Sequence, residues 1–320
     1  MELAKIGERE LISHIAKSFS KGKDTVIIGA GEDDCAVLDI GGEDYLLVTT
    51  DMLHEETDFP LRMTGWQIGW MSVAVNLSDL ASKGARPLGI LMAMGIPSDT
   101  ELLFIDEVAK GMDDCATAFG TCMIGGDTGE HDELIMAGTA LGTVKKEQLV
   151  RRKGAKKGDL VCVTGIPGRA GAALLALDRK LRVSQEMLKP LFEPMPRIKE
   201  GMALVESGSV SSMMDISDGL ALSLHDMSKA SGLGFRIYED KLPALPGIKG
   251  LKSRDLLDAA VFTGGDFELL FTVPEEKLGA AKKACDFTVI GEVIESGVLI
   301  ERGGAVEELK AKGYEHFKHA

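Results

Sequence analysis

The sequence predicts an α/β architecture in two units, on three observations. Short aliphatic and β-branched runs alternate with segments of helical period along both halves of the chain. A length of 320 residues with 45% hydrophobic content suits two domain-sized cores. A polar, basic stretch at 150–159 (VRRKGAKKGD) lies between apolar runs and divides the chain into units at 1–150 and 151–320.

In chain order, residues 1–19 set Leu11, Ile12, Ile15 and Phe19 at helical spacing with charges throughout, which suits an amphipathic helix and not a signal peptide. YLLVTT at 45–50 reads as a strand. Residues 66–82 read as a helix in which Trp66, Trp70, Val73, Leu77 and Leu80 form one stripe. Ser72, Asn76, Asp79 and Lys83 form a second, polar stripe that presents Asp79. Gly84 should stop this helix, with Pro87 beyond it. A strand at 88–96, a helix at 99–119 and strands at 121–126 and 134–144 complete the first unit. The second should open with a strand at 159–165 and a helix starting near Ala170. A strand at 210–217, a helix at 219–230 and a strand at 267–273 follow.

Five acidic motifs carry the functional signal: GEDD (31–34), TTD (49–51), NLSD (76–79), GGDTG (125–129) and DISDG (215–219). One Asp at a strand end is ordinarily a turn or cap residue, because its oxygens satisfy orphan backbone donors. Five such motifs in or beside apolar runs instead predict carboxylates converging on a cleft. Hard oxygen ligands of this kind suit Mg2+, with hydroxyls at Thr49, Thr50, Ser78 and Ser217 as auxiliary ligands. No stretch has the alternating acids of an EF-hand loop.

A formal charge of −14, from 50 acids against 36 bases, argues against nucleic acid or an anionic membrane as partner. An anionic ligand would therefore need metal ions to mediate. There is no GxxxxGK[ST] loop and no HExxH pair. GGDTG either brings backbone N–H groups to phosphate or makes a tight turn between strands. The basic run at Arg151, Arg152 and Lys153 either complements phosphate or forms a solvated face. Five cysteines without a CxxC pattern suit core positions in a reducing compartment, and no apolar run reaches membrane-spanning length. A soluble, cytoplasmic protein is expected.

The succession GEDDCAVL, VTTDML, AVNLSDLASKGARP, IGGDT, VRRKGAKKGD, VTGIPG, DISDGL, TGGDFELLFTV and KGYEHF resembles the thiamine-monophosphate kinase family. That family lies in the superfamily of aminoimidazole-ribonucleotide synthetase-like ATP-binding enzymes. The likeness runs in order over nearly the whole chain, and NLSDLA with DISDG is its specific part.

The resemblance implies a two-domain fold of α/β (α+β) class. An N-terminal mixed sheet with helices binds ATP and Mg2+ and forms a homodimer interface, while a C-terminal α/β domain covers the active site. It also implies phosphoryl transfer from ATP to thiamine monophosphate, assisted by Mg2+, with no covalent nucleophile. Carried over by position, the metal ligands are Asp34, Thr49, Thr50, Asp51, Asp79, Asp127, Asp215 and Asp218, with Asp33 as an addition. Gly126, Asp127, Arg152 and Ser217 contact ATP, and Asp58, Asp266 and Tyr314 lie on the substrate side. The chain departs from the family pattern at Glu32, an extra acid, at Asp58, where His is frequent, and at GGDFELL, which is one residue shorter. Two other readings stand beside this one: another ATP-dependent activating enzyme of the superfamily, and a non-catalytic Mg-nucleotide-binding regulator.

Overall fold

The computed structural model describes residues 3–20, 24–60 and 62–317. A first mixed sheet contains β1 (Val26–Ile28), β2 (Ala36–Leu38), β3 (Asp44–His54), β4 (Arg86–Ile96), β5 (Met123–Glu130) and β6 (Ile135–Lys145), in the order β1-β2-β3-β6-β4-β5. Only β4 and β5 pair in parallel there. Its helices are α1 (Glu8–Ser18), α2 (Glu55–Asp58), α3 (Gly65–Ser82) and α4 (Leu102–Ala118).

The second sheet contains β7 (Leu160–Val163), β8 (Ser212–Ile216), β9 (Gly234–Tyr238), β10 (Glu268–Val273), β11 (Thr288–Ile294), β12 (Val298–Arg302) and β13 (Ala305–Glu308). Its order is β13-β12-β9-β11-β7-β10-β8. Helices α5 (Arg169–Asp178), α6 (Gln185–Phe192), α7 (Ile198–Glu206), α8 (Leu220–Ser231), α9 (Ser253–Phe262) and α10 (Leu278–Ala284) accompany it. The three-residue strands β1 and β2 escaped sequence reading because they are too short to display a period.

Strands β8 and β10 are buried on both faces, so alternation sorts their side chains between two cores. On β8, Met213 belongs to the core shared with α3, whereas Met214 and Ile216 belong to the core under α8 and α9. Asp215 therefore leaves β8 on the α3 side. The α3-side core runs without a break from the first sheet through Val205 of α7 into Cys162, Leu269 and Phe271 of the second.

Helix α3 starts at a capping box, in which the Thr64 hydroxyl accepts from Gln67 N and the Gln67 side chain accepts from Thr64 N, each at 3.2 Å. It ends where Gly84 turns left-handed at φ 61°. Its polar stripe does not face water, as amphipathic spacing would suggest. Ser72 is 1% exposed, and Asn76, Ser78, Ser82 and Lys83 are 0% exposed. The reason is tertiary: α3 is packed against β3 and β6 of one sheet, β8 and β10 of the other, and α4 and α7.

Helices α3 and α4 approach so closely that their contact requires glycine. A Cβ on Gly69 would lie 2.0 Å from Val108 O, and one on Gly111 would lie 1.9 Å from Trp66 O. Gly111→Ala should therefore destabilise the protein by about 1–3 kcal/mol through overpacking. The effect should be read as a lowered urea midpoint at unchanged slope; an unchanged midpoint would show that the two helices separate freely.

Candidate active site

Four elements converge beside the middle and C-terminal end of α3. The GEDD loop, between β1 and β2, brings Asp33 and Asp34. Strand β3 brings Thr49 and Asp51 on one face and, by alternation, Thr50 on the other. Helix α3 contributes Ser78, Asp79, Ser82 and Lys83, and β8 contributes Asp215.

Ligand oxygens of Asp34, Asp79 and Asp215 all lie within 4.8 Å of one another. Thr49 donates to the Asp79 carboxylate, Ser78 donates to Asp215 Oδ2 at 2.5 Å, and Ser82 donates to Asp34 Oδ2 at 2.8 Å. Asp51 is positioned through its backbone, whose N–H donates to Asn76 Oδ1 at 3.1 Å. Thr50 instead donates to Gly138 O on β6 at 2.7 Å. Its hydroxyl lies on the opposite face of β3 from the three-acid group.

Burial and mutual repulsion set the electrostatics here. Burial, reinforced by Asp51, Asp215 and Asp34, pushes Asp79 well above the usual carboxylate range. Burial and Asp34 raise Asp215 to about 7, while burial with Asp218 and Asp34 raises Asp51 to about 6. Asp34 goes the other way: burial opposes ionisation, but Arg152 and Lys83 outweigh it and hold the group at about 2. Hard oxygen donors that resist ionisation together, within ligand distance, fit a divalent cation.

Arg152 reaches this group from the junction between the sheets. Its Nε donates to Asp34 Oδ1 at 2.6 Å, and its backbone N–H donates to Asp33 Oδ2 at 3.0 Å. Asp33 also accepts Lys83 Nζ at 2.5 Å and Asp34 N at 3.1 Å, which makes it the anchor of its loop. Glu32 braces the same loop by accepting Gly29 N at 3.1 Å.

Asp218 and Ser217 follow β8. Arg9 of α1 donates to Asp218 at 2.9 Å and also pairs with Asp226, so the N-terminal helix is tied to the rim. Ser217 offers its carbonyl to Gly265 N at 2.7 Å. A Cβ on Gly264 would lie 2.3 Å from that carbonyl, so the second GGD motif backs the DISDG loop.

The other predicted residues are spread out. GGDTG is neither turn nor loop but lies within the exposed edge strand β5, where Gly126 pairs with Met92 and Asp127 with Ala93. Asp127 lies outside the three-acid group. Both residues line a cleft of about 500 Å³ with Met92, Met94, Met112 and Met123. Tyr314 donates its backbone N–H to Asp218 O at 3.0 Å, and its hydroxyl lies 3.4 Å from His316 Nδ1. Asp58 accepts His54 N at 2.9 Å. Asp266 lies elsewhere: its oxygens accept Gly168 N and, at 3.0 Å, Ala170 N at the start of α5. It lines a separate cavity of about 220 Å³ with Arg197 and Glu268.

Sequence reading missed two participants. Lys83 was visible only as a member of a polar stripe, and Arg9 only as one charge on an amphipathic helix. Neither position signals burial against acids that are distant in sequence.

The raised carboxylates predict a pH dependence. Between the unfolded value near ~4 and the folded values of about 6 and 7 for Asp51 and Asp215, the folded state holds more protons than the unfolded state. Their contribution to stability therefore falls as pH rises through that window. Added Mg2+ should raise the melting temperature more at pH 8 than at pH 5, because it neutralises the ionised forms. Equal increments by calorimetry at both pH values would show that these acids do not hold the ion.

The sequence model described as AIR synthase related protein, N-terminal domain, matches residues 32–144, and that for the C-terminal domain matches residues 156–302. The chain is 43% identical over 284 residues to a thiamine-monophosphate kinase of Methanospirillum hungatei, covering 89% of this chain and 92% of that one. It is 33% identical over 324 residues to one of Escherichia coli K12, covering 97% and 98%. A solved structure described as AaThiL complexed with AMPPCP and TMP superimposes with a TM-score of 0.86 at 27% identity, covering 99% of each chain. The chain belongs to the thiamine-monophosphate kinase family, within the AIR synthase-related proteins.

Proposed function

We propose that this chain transfers the γ-phosphoryl group of ATP directly to thiamine monophosphate, giving thiamine diphosphate and ADP in a Mg2+-dependent reaction. The observation that carries this reading is the grouping of Asp34, Asp79 and Asp215 within ligand distance, beside Arg152. Asp34, Asp51, Asp79 and Asp215 would hold Mg2+, joined by Asp218 at the rim and by Asp127 through the bound nucleotide. Thr49 orients Asp79, and Ser78 orients Asp215. When bound, Mg2+ neutralises phosphate charge and aligns the reacting groups.

Arg152 is the group suited to grip phosphate, since its guanidinium is partly exposed and forks toward oxygen acceptors. The methionine-lined cleft beside Gly126 and Asp127 offers soft apolar surface for the nucleotide base. Tyr314 and Asp58 then define the thiamine side, and Asp266 supports α5. The acceptor phosphate is already anionic at neutral pH, so no general base is required and no phosphoenzyme is expected.

Residues 1–150 would form the ATP-binding and dimerising domain, and residues 151–320 the domain covering the site. A homodimer suits the open face of the first sheet, where Met52, Leu88, Leu91 and Ile124 are exposed. Among the described residues, no helix is long and apolar enough to cross a membrane.

The direct test supplies Mg-ATP with thiamine monophosphate and follows thiamine diphosphate and ADP. Absence of thiamine diphosphate at every Mg2+ concentration would remove the kinase reading, and nucleotide binding alone would favour a regulator. Asp79→Asn should slow turnover about a hundredfold or more. It should also leave the metal-free protein about as stable, because Asn replaces a group whose ionisation burial and its acidic neighbours already oppose. Loss of stability in chelator would mark Asp79 as structural.

A further inference from the structure

Lys83 lies at the C-terminal end of α3, and its side chain is 0% exposed. Its ammonium group has three acceptors: Asp33 Oδ1 at 2.5 Å, Asp34 Oδ2 at 2.7 Å and Met213 O at 2.9 Å. Two carboxylates and a main-chain carbonyl are the donor set that a hard divalent cation takes from a protein. All three ammonium hydrogens are satisfied, and the two carboxylates are 1% and 0% exposed. The remaining oxygen of Asp34 points to Arg152.

From this geometry we propose that Lys83 is a tethered cation occupying the Asp33–Asp34 side of the cage. The chain therefore binds one divalent ion fewer than it would with an apolar residue at position 83. Lys83 is a positioning residue: it fixes Asp34 Oδ2 and leaves Oδ1 for exchange between Arg152 and a ligand. The inference rests on the divalent-cation reading of Asp34, Asp79 and Asp215 and extends it to the opposite side of Asp34. The alternative role is purely structural, a strut from α3 to the Met213 carbonyl of β8.

Counting bound Mn2+ on the full-length protein by electron paramagnetic resonance separates the two. Lys83→Met should bind one more Mn2+ per chain than the parent, and its melting temperature should be low in chelator and restored by Mn2+. Adding Asp33→Asn to that variant should return the ion count to the parental value and allow folding in chelator. An unchanged count in Lys83→Met would overturn the proposal, as would a variant that stays unfolded in saturating Mn2+. A parent that binds no Mn2+ would overturn the metal-cage reading itself, and this inference with it.

Discussion

A buried carboxylate needs a cation, and the organisation of this protein around α3 follows from that requirement. Asp33, Asp34, Asp79 and Asp215 are drawn from a loop, a helix and a strand into a space largely closed to solvent. Arg152 and Lys83 pair with Asp33 and Asp34, and they favour the ionised form of Asp34. They do not reach Asp79 in the same way, and burial with neighbouring charge pushes that group well above the usual carboxylate range. The site is thus divided into a half compensated by protein cations and a half whose carboxylates resist ionisation.

The same helix joins the two sheets mechanically and chemically. Its apolar positions belong to a core shared by both, while Ser78, Asp79, Ser82 and Lys83 line the site and Asn76 holds the Asp51 backbone. Close approach at Gly69 and Gly111 seats it against α4, and a Cβ on Gly201 of α7 would lie 2.1 Å from Ala81 O. These contacts limit lateral movement of α3. A side chain such as Asp79 is then held by backbone packing as well as by the Thr49 hydroxyl. Ties at Arg9–Asp218 and Tyr314–Asp218 bring both ends of the chain to the rim of the same site.

Much of this was legible in order along the chain. The period of residues 66–82 and the stop at Gly84 located α3, and the TTD motif named Thr49 and Asp51 as ligands with Thr50 beside them. Alternation separates Thr50 from them, which a contiguous motif conceals. GGDTG read either as a phosphate-approaching loop or as a tight turn because glycine and Asp dominate it, yet pairing with β4 makes it a strand. Asp266 stood within a recognised motif, but its oxygens cap a helix about a hundred residues away in sequence, a partner that no local pattern names.

The sequence by itself determined the alternation of elements, the five acidic motifs, their oxygen chemistry and the family to which they point. Tertiary structure alone decided which acids meet and which basic groups answer them. Local periodicity is a property of neighbouring residues, whereas burial and charge compensation depend on contacts such as Lys83 with Asp33 and Ser78 with Asp215. A polar stripe carries the same spacing whether it faces water or carboxylates, so only the packed fold could show that Lys83 belongs to the site.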